Sequence, residues 1–351
     1  MTELRQGWPL PSRPRPIVIV GAGAIVRTAH LPAYLRLGFP VAGLFDRSLE
    51  TARQTAALFG LPTPFATLDD ASAAPGAVFD VAVPGDAILG VLCRLPVGAA
   101  VLIQKPMGVN LATACRILET CRARQLVAAL NFQLRFSPNM LAIAQLVGEG
   151  RLGDLTDIEV RIVDRQPWEQ WSFLADTPRV EVLYHSIHYL DAIRWLAGEP
   201  RGVHCRAIAH PALAGLRDTR SSIILDYGNR IRCSLTLNHT HRHGAAHRAS
   251  FFKVEGGAGA AIATLGVNLD YPTGPPDSLE VALDGRAWDR IPLRGSWFTS
   301  AFEGPMSNLQ RFVAGEDAAL VSPVDDAIKT MAVVEACYRS SEGGSTPIPE
   351  V

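Results

Sequence analysis

The chain of 351 residues has a formal net charge of −1 at pH 7, with 33 Lys and Arg against 34 Asp and Glu. Hydrophobic residues make up 48% of it and charged residues 19%, which excludes a wholly disordered chain because the apolar content is enough to build a core. The length predicts about two domains, and the charge balance gives no electrostatic reason to expect nucleic acid or an anionic membrane as a partner.

The first residues and the cysteines favour a cytoplasmic protein. Residues 1–14 are polar and rich in Pro and Arg, so we predict a flexible arm there rather than the apolar segment of a signal peptide. No apolar run reaches the ~20 residues that a membrane-spanning helix needs. The 6 cysteines are scattered without a CxxC pair, which indicates reduced thiols rather than a disulfide framework or a zinc site.

Strands and helices alternate through residues 15–132, which we predict to form the first domain. The apolar run Ile17–Val20 is typical of a buried parallel strand, and a glycine turn and a helix to about residue 37 follow it. Further strands are predicted at residues 41–45, 79–83, 99–103 and 127–131, with helices at residues 48–59 and 111–124. This alternation predicts an α/β fold with a doubly wound parallel sheet of the Rossmann type.

The pattern changes in residues 133–351, for which we predict a second domain of the α+β class. Helices are predicted at residues 141–149, 182–197, 306–314 and 323–340, and strands at residues 156–163, 204–209, 221–227, 231–238, 249–255 and 279–283. Because tight turns join several of these strands, we expect a large, mostly antiparallel, open sheet.

A glycine turn after the first strand predicts a dinucleotide site. Gly21 permits the tight turn, and Gly23 lets the backbone approach a pyrophosphate that lies against helix N–H groups. Val26 stands where the fingerprint has its third glycine. Asp46 ends the next strand, where a carboxylate accepts from a ribose 2′-hydroxyl and favours NAD. Arg47 beside it is suited to pair with a 2′-phosphate, which keeps NADP as the alternative.

At Ile103-Gln104-Lys105-Pro106 the chain resembles the Gfo/Idh/MocA oxidoreductases, which carry Glu-Lys-Pro after the corresponding strand. Further similar motifs are Arg135-Phe136-Ser137-Pro138, Gly150-Arg151-Leu152-Gly153, His188-Tyr189-Leu190-Asp191, Val254-Glu255-Gly256-Gly257 and residues 302–306 and 333–340. The resemblance covers about residues 15–345. It implies hydride transfer between a nicotinamide ring and a carbon that bears a hydroxyl, usually on a sugar or cyclitol. It also implies a homo-oligomer, a dimer or a tetramer.

The motifs and the resemblance together assign roles to individual residues. By resemblance, Lys105 would reach both the nicotinamide ribose and the reacting hydroxyl, and His188 would be the general base; we add Tyr184 as an auxiliary catalytic residue. The predicted cofactor contacts are Gly21, Gly23, Ala24, Ile25, Asp46, Arg47, Val83, Pro84, Gln104, Lys105 and Gln133. The predicted substrate contacts are Lys105, Gln133, Trp168, Tyr184, His185, His188, Asp191 and His247, and no metal is expected.

The chemistry of alcohol oxidation suits a lysine and a histidine. The reaction releases a proton with the hydride, and a histidine is matched to accept it near neutral pH. An ammonium group stabilises the alkoxide charge that develops. Lys105 follows a buried strand, where the carboxyl ends of a Rossmann sheet meet ligands, although a solvated surface lysine is the alternative interpretation.

The middle helix of the second domain carries a polar stripe. Tyr184, His188, Asp191 and Trp195 follow at spacings of four, three and four residues and would share one face, with His185 beside them. A lone histidine on a helix usually belongs to the core or the surface, but a stripe of Tyr, His and Asp on an apolar helix indicates a site. Tyr184 stands where related dehydrogenases often have an aspartate.

A group of histidines follows the strand predicted at residues 231–238. His239, His241 and His243 alternate and would project from one face, and His247 follows a short turn. Three interpretations stay open: a border of the substrate pocket, an exposed or subunit-contact face, and a metal site. The metal interpretation is disfavoured because three ligands on one strand would spread over ~13 Å.

An aromatic loop adds to the substrate prediction. Trp168, Trp171 and Phe173 crowd one segment, and aromatic faces stack on the C–H surfaces of sugars. We therefore predict an NAD(P)-dependent dehydrogenase that acts on a secondary hydroxyl or ketone of a sugar, cyclitol or glycoside. One alternative is a redox-neutral enzyme that holds its cofactor tightly and cleaves a glycoside or rearranges a sugar. The other is a non-catalytic sensor of a sugar or dinucleotide.

Overall fold

The chain divides into two compact units in its computed structural model, which describes residues 3–213 and 215–345. The first unit comprises residues 1–145 and 292–331, and the second comprises residues 146–291 and 332–351. This division differs from the predicted boundary between residues 132 and 133 because the chain returns to the first unit, where Phe302, Met306 and Leu309 join the core. The ends of the predicted arm and second domain, residues 1–2 and 346–351, lie outside the described residues.

The helices are numbered along the chain. They are α1 Leu31–Arg36, α2 Leu49–Phe59, α3 Leu68–Ser72, α4 Ile88–Leu92, α5 Leu111–Ala123, α6 Pro138–Gly148, α7 Ile187–Ala197, α8 Glu303–Val313 and α9 Val324–Glu342. Side-chain caps fix where α2 and α5 begin: Ser48 accepts from the backbone N–H of Thr51 at 3.2 Å, and Asn110 accepts from that of Thr113 at 2.8 Å. The five-residue helices α3 and α4 are too short to show a hydrophobic period, so the sequence did not predict them.

The first unit contains a parallel sheet of five strands within its described residues. The strands are β1 Ile17–Val20, β2 Val41–Phe45, β3 Val78–Val81, β4 Ala100–Ile103 and β5 Val127–Leu130, and their order is β2-β1-β3-β4-β5. Every residue of β1, β3 and β4 is buried, as expected for parallel strands that are covered on both faces. The predicted Rossmann sheet is therefore confirmed.

Residues 3–14, for which we expected a flexible arm, make specific contacts within the first unit. The indole N–H of Trp8 donates to Asp317 at 2.7 Å, and the Trp8 ring packs against Phe136 with 5.2 Å between centroids. The backbone N–H of Ser12 donates to Glu316 at 3.0 Å. Asp317 and Glu316 lie about 300 residues away in the chain, so a local pattern gives no sign of these contacts.

The second unit contains a sheet of eight strands within its described residues. The strands are β6 Leu155–Val163, β7 Gly202–Ile208, β8 Arg220–Asp226, β9 Arg232–Asn238, β10 Ala249–Gly256, β11 Gly259–Thr264, β12 Ser278–Leu283 and β13 Asp289–Ile291, in the order β13-β12-β11-β10-β6-β9-β8-β7. β6 and β9 pair in parallel, and the other neighbouring strands pair antiparallel. Buried and exposed residues alternate along β8, which is typical of a sheet with one covered face. The predicted, mostly antiparallel sheet is confirmed.

Two properties of the whole described chain bear on its setting. Across residues 3–213 and 215–345, no helix has the length and apolar character needed to span a bilayer. Each of the cysteines, all of which lie in the described part, is a free thiol.

Candidate functional site

The first unit carries the predicted glycine turn directly after β1. Gly21 has a φ of +112°, and a Cβ at this position would overlap the carbonyl oxygen of Ala82, so only glycine fits. Gly23 is exposed, and a Cβ built on it would meet nothing within 4 Å. A helical segment starts at Ala24 and continues through a π-helical turn, Val26–His30, into α1. The backbone at the start of this segment is thus open to a ligand, as a bound pyrophosphate requires.

Asp46 is fixed beside this turn by the backbone. Its carboxylate accepts from the N–H of Ala22 at 2.9 Å and from the N–H of Ser48 at 2.8 Å. The side chain is half-buried, and a carboxylate has acceptor capacity beyond these two bonds. Asp46 is therefore held where it can accept from a ribose hydroxyl, and the residues present fit a dinucleotide.

The other predicted cofactor residues of the first unit follow the same edge of the sheet. Val83 and Pro84 come after β3, Gln104 and Lys105 come after β4, and Gln133 opens a short 3₁₀ turn after β5. Carboxyl ends of parallel strands meet at one edge, which is where open α/β sheets bind ligands. The Oε1 atom of Gln133 is buried and has no hydrogen-bond partner in the described chain.

Lys105 lies in a desolvated setting. Burial lowers its pKa from 10.5 to about 8. The backbone N–H of Lys105 donates to Oε1 of Gln104 at 2.9 Å, so the Gln104 amide must turn its NH₂ group the other way. The nitrogen of this group, Nε2 of Gln104, lies 3.3 Å from Nε2 of His30. His30 therefore accepts at Nε2 and carries its own proton on Nδ1.

A buried polar network continues from His30. Its Nδ1 donates to the carboxylate of Asp80 at 2.6 Å, and the hydroxyl of Tyr34 donates to the same oxygen at 2.9 Å. The amide of Asn131 lies 3.4 Å from Nε2 of His30. None of these four residues was predicted as part of the site. The available signal was Asp80 itself, because an acid inside an apolar parallel strand needs a buried partner.

In the second unit, the helix with the polar stripe begins irregularly. Tyr184 and His185 lie on a π-helical turn, Val182–Ser186, and His188 and Asp191 lie on α7 behind it. The predicted stripe assumed a regular α-helix, so the angle between Tyr184 and His188 differs from the predicted one. His188 and Asp191 are buried, whereas Tyr184 and His185 are half-buried.

Aromatic rings surround His185. Its ring centroid lies 4.8 Å from that of Trp168 and 4.6 Å from that of His239. Trp168 is buried and its indole N–H donates to the backbone carbonyl of His239 at 3.3 Å. Phe173 packs against Tyr184 with 5.7 Å between centroids. Tyr184 packs against the hydrophobic cluster that contains Trp168, so the structure brings Trp168, Tyr184 and His185 of the predicted substrate residues into one aromatic cluster.

The histidines after β9 separate into different environments. His239 is fully buried, His241 is half-buried, and His243 and His247 are exposed. Among residues 3–213 and 215–345, no group of His, Cys, Asp or Glu is arranged to hold a metal ion. The role of His247 in substrate binding stays a prediction.

His239 is the centre of a buried charged group, which we call the 239 triad. Its Nδ1 lies 2.8 Å from Asp164, and its Nε2 lies 3.5 Å from Glu181, a contact without hydrogen-bond geometry. All three side chains have no exposed surface. Burial alone would lower the pKa of His239, but the two carboxylates outweigh it and raise the pKa to about 9. His239 is therefore an imidazolium at neutral pH.

Asp218 and the 239 triad hold the start of the π-helical turn. The Asp218 carboxylate accepts from the backbone N–H groups of Val180 at 2.8 Å and Glu181 at 3.0 Å. Burial, together with the charge of Glu181, raises the pKa of Asp218 to about 6. Ser186 donates to Glu181 at 2.7 Å from the end of the same turn. Sequence reasoning missed Asp218 and His239 as supports for this turn because both are far from it in the chain.

A parallel sheet with a strained glycine turn, a fixed carboxylate on the next strand and polar residues at its carboxyl edge defines a dinucleotide-binding protein. Comparison with known families agrees. Residues 15–132 match the model described as "Oxidoreductase family, NAD-binding Rossmann fold", and residues 140–262 match the "GFO/IDH/MocA C-terminal domain". The chain belongs to the Gfo/Idh/MocA oxidoreductases, so the resemblance seen in the sequence is confirmed.

Individual relatives are distant. An inositol 2-dehydrogenase from Rhizobium meliloti is 24% identical over 69% of this chain and 71% of its own. A D-apiose dehydrogenase from Paraburkholderia graminis is 24% identical over 93% of this chain and 88% of its own. An oxidoreductase from Agrobacterium radiobacter, solved with NAD⁺, L-tartaric acid and magnesium, superposes with a TM-score of 0.77 at 17% identity over 95% of this chain and 98% of its own. That last likeness shows the fold alone.

Proposed function

We propose that this oxidoreductase is an NAD-dependent dehydrogenase that moves a hydride between the nicotinamide and a secondary hydroxyl or ketone of a sugar, cyclitol or glycoside. The observation that carries the proposal is Lys105. It follows β4 at the sheet edge that holds the dinucleotide turn, and its pKa of about 8 lets it lose or hold a proton near neutral pH. The relatives named for inositol and D-apiose support a polyhydroxylated substrate.

In the proposed mechanism Lys105 and His188 act on the reacting hydroxyl, and Tyr184 is an auxiliary. A bound nicotinamide would supply the hydride acceptor. The Lys105 ammonium stabilises the alkoxide charge that develops on the substrate oxygen. His188 removes the hydroxyl proton as general base, and Tyr184 assists as a hydrogen-bonding group. Gln133, Trp168, His185, Asp191 and His247 are the proposed substrate contacts.

Asp46 supports NAD over NADP in this proposal. Its carboxylate is held by two backbone N–H groups, so it cannot easily turn away from a 2′-phosphate that it would repel. Arg47 is exposed and would be the residue to pair with that phosphate if NADP were used. The preference is measurable as a ratio of dissociation constants for the two cofactors.

We also propose that the protein works as a homo-oligomer in the cytoplasm. Ile208 on β7 and Ile224 on β8 are exposed apolar side chains on neighbouring strands of the second unit's sheet. Exposed apolar residues on an open sheet support a subunit contact. Light scattering of the purified protein, with Ile224→Lys as the test variant, distinguishes a dimer or tetramer from a monomer.

The test of the dehydrogenase is NADH absorbance with NAD and a panel of sugars, cyclitols and glycosides. Lys105→Met and His188→Ala should each lower kcat by ~10²–10⁴-fold. Lys253→Met on β10 and His204→Ala on β7 are matched controls, since neither residue is among the proposed catalytic, cofactor or substrate contacts. If NAD binds and no NADH forms with any panel member, the appearance of a cleaved or rearranged sugar would favour the redox-neutral enzyme. The absence of any sugar product would favour the sensor.

A further inference from the structure

A strongly cationic pocket lies beside the aromatic cluster of the second unit. It has a volume of about 420 Å³ and is lined by Arg165, His241, Arg242, Gly244 and Arg248. Two segments that leave the sheet side by side build it. Arg165 pairs with Thr240 in an antiparallel bridge just beyond the ends of β6 and β9, and the N–H of His241 donates to the carbonyl of Asp164 at 2.8 Å.

The three arginines of the pocket have no acidic partner. In the described chain none of them forms an ion pair, and no carboxylate lines the pocket. The nearest acid along the chain, Asp164, is already committed to His239 and to Gln166, which donates to it at 2.6 Å. Because the whole chain has a net charge of −1, this concentration of positive charge is a local feature.

Arg248 is the best-anchored of the three. Its Nη1 donates to the backbone carbonyl of Leu269 at 2.6 Å, while its Nε is buried and has no hydrogen-bond partner in the described residues. A buried N–H of a charged group without an acceptor is costly, and an anion in the pocket would remove that cost. Arg165 and Arg242 are exposed and can turn toward the same anion.

We propose that this pocket binds a phosphate group carried by the sugar substrate, so that the enzyme acts on a phosphorylated sugar. This rests on the proposed function. Guanidinium groups bind phosphate oxygens through paired hydrogen bonds, and three of them match a phosphate dianion or a diphosphate better than the single charge of a carboxylate.

The position of the pocket along the chain supports this substrate. His241 lines the pocket, and His239, two residues earlier, contacts His185 in the aromatic cluster. Two residues of chain span at most ~7 Å, so the arginine pocket and the aromatic cluster are immediate neighbours. A sugar ring against the half-buried His185 would thus have its phosphate within reach of the arginines.

The first test is binding of inorganic pyrophosphate, measured by calorimetry with NAD at saturation so that the dinucleotide turn is filled. The variants Arg165→Gln and Arg242→Gln should each weaken binding about 10-fold, which is what loss of one hydrogen bond to a charged group costs. Arg286→Gln is the matched control, because Arg286 is also exposed but lies in the turn after β12. Equal binding by the double variant Arg165→Gln/Arg242→Gln and the native protein would overturn the proposal.

The second test compares matched pairs from the substrate panel, each sugar with and without a phosphate. We expect a higher kcat/KM for the phosphorylated member, and a rise in its KM without a change in kcat in the arginine variants. If pyrophosphate binding depends on the arginines but phosphorylated sugars have no higher kcat/KM, the pocket does not bind the substrate. The pocket would then bind an adventitious anion only.

The two proposals fail in different ways. If no sugar is oxidised but phosphorylated sugars still bind in an arginine-dependent manner, the dehydrogenase proposal is wrong and the phosphate pocket stands. If neutral sugars are oxidised with a dependence on His188 and no anion binds, the phosphate pocket is wrong and the dehydrogenase stands.

Discussion

The pH dependence of stability in the second unit tests the 239 triad directly. A group whose pKa is higher in the folded protein stabilises the fold at low pH and loses that effect as pH rises. The pKa of His239 is raised from 6.5 to about 9. Since one pKa unit is worth ~1.4 kcal/mol, the fully buried triad contributes ~3 kcal/mol. This contribution is complete below pH 6.5 and is gone above about pH 9.

Hydrogen–deuterium exchange of the amides in Val182–Ser186 and Ile187–Ala197 measures this effect locally, after correction for the intrinsic pH dependence of exchange. Their protection should fall by ~100-fold between pH 6.5 and pH 9. The test variant is Asp164→Asn/Glu181→Gln/His239→Gln, because removing His239 alone would leave Asp164 and Glu181 as buried carboxylates without their cation. His204→Gln, at an exposed position on β7, is the matched control.

Two results would refute this explanation: a flat profile of protection against pH in the native protein, or a slope that persists in the triple variant. Asp218 does not interfere, because its pKa is raised from 3.8 to about 6. The stabilising effect of Asp218 is therefore lost as pH rises from 3.8 to about 6, which is below the pH range in which the effect of His239 is lost.

Three substitutions in the first unit test the cofactor site and its support. Gly21→Ala should abolish NAD binding in a fluorescence titration, because its Cβ overlaps Ala82, whereas Gly90→Ala, with nothing within 4 Å, should bind normally; equal binding by both would contradict the geometry. Tyr34→Phe removes a hydrogen bond to a buried carboxylate and should lower the free energy of unfolding by ~1.5–3 kcal/mol in urea, and an unchanged midpoint would show that bond to be unimportant. Asp46→Ala should shift the ratio of NAD to NADP dissociation constants about 10-fold toward NADP by calorimetry, and an unchanged ratio would remove Asp46 from cofactor selection.

The fold could be predicted because its signals are local. Ile17–Val20 is a continuous apolar run, and the turn at Gly21 follows it at once, so strand, turn and helix can be identified within a few residues. The antiparallel sheet was also predicted, but β11 and β13 were missed. β11 is rich in Gly and Ala, and β13 is only three residues long, so neither shows strand propensity.

The supports of the site could not be predicted because their partners are distant in sequence. His239 pairs with Asp164 across 75 residues, and His30 pairs with Asp80 across 50. Sequence alone suggests only that an acid beside or within an apolar strand needs a partner, and cannot say which histidine supplies it. The prediction grouped His239 with His241 and His243. It therefore did not show that His239 is a buried cation while His241 and His243 are more accessible.

The π-helical turn Val182–Ser186 explains why helical spacing was a poor guide to the second unit's site. Such a turn loses regular hydrogen bonds and persists where its surroundings compensate. Here Asp218 accepts from the N–H groups of Val180 and Glu181, and the 239 triad fixes Glu181 itself. The turn is thus set by tertiary contacts rather than by local propensity, so the direction of His185 follows from the residues that it packs against and not from its position on a helical wheel.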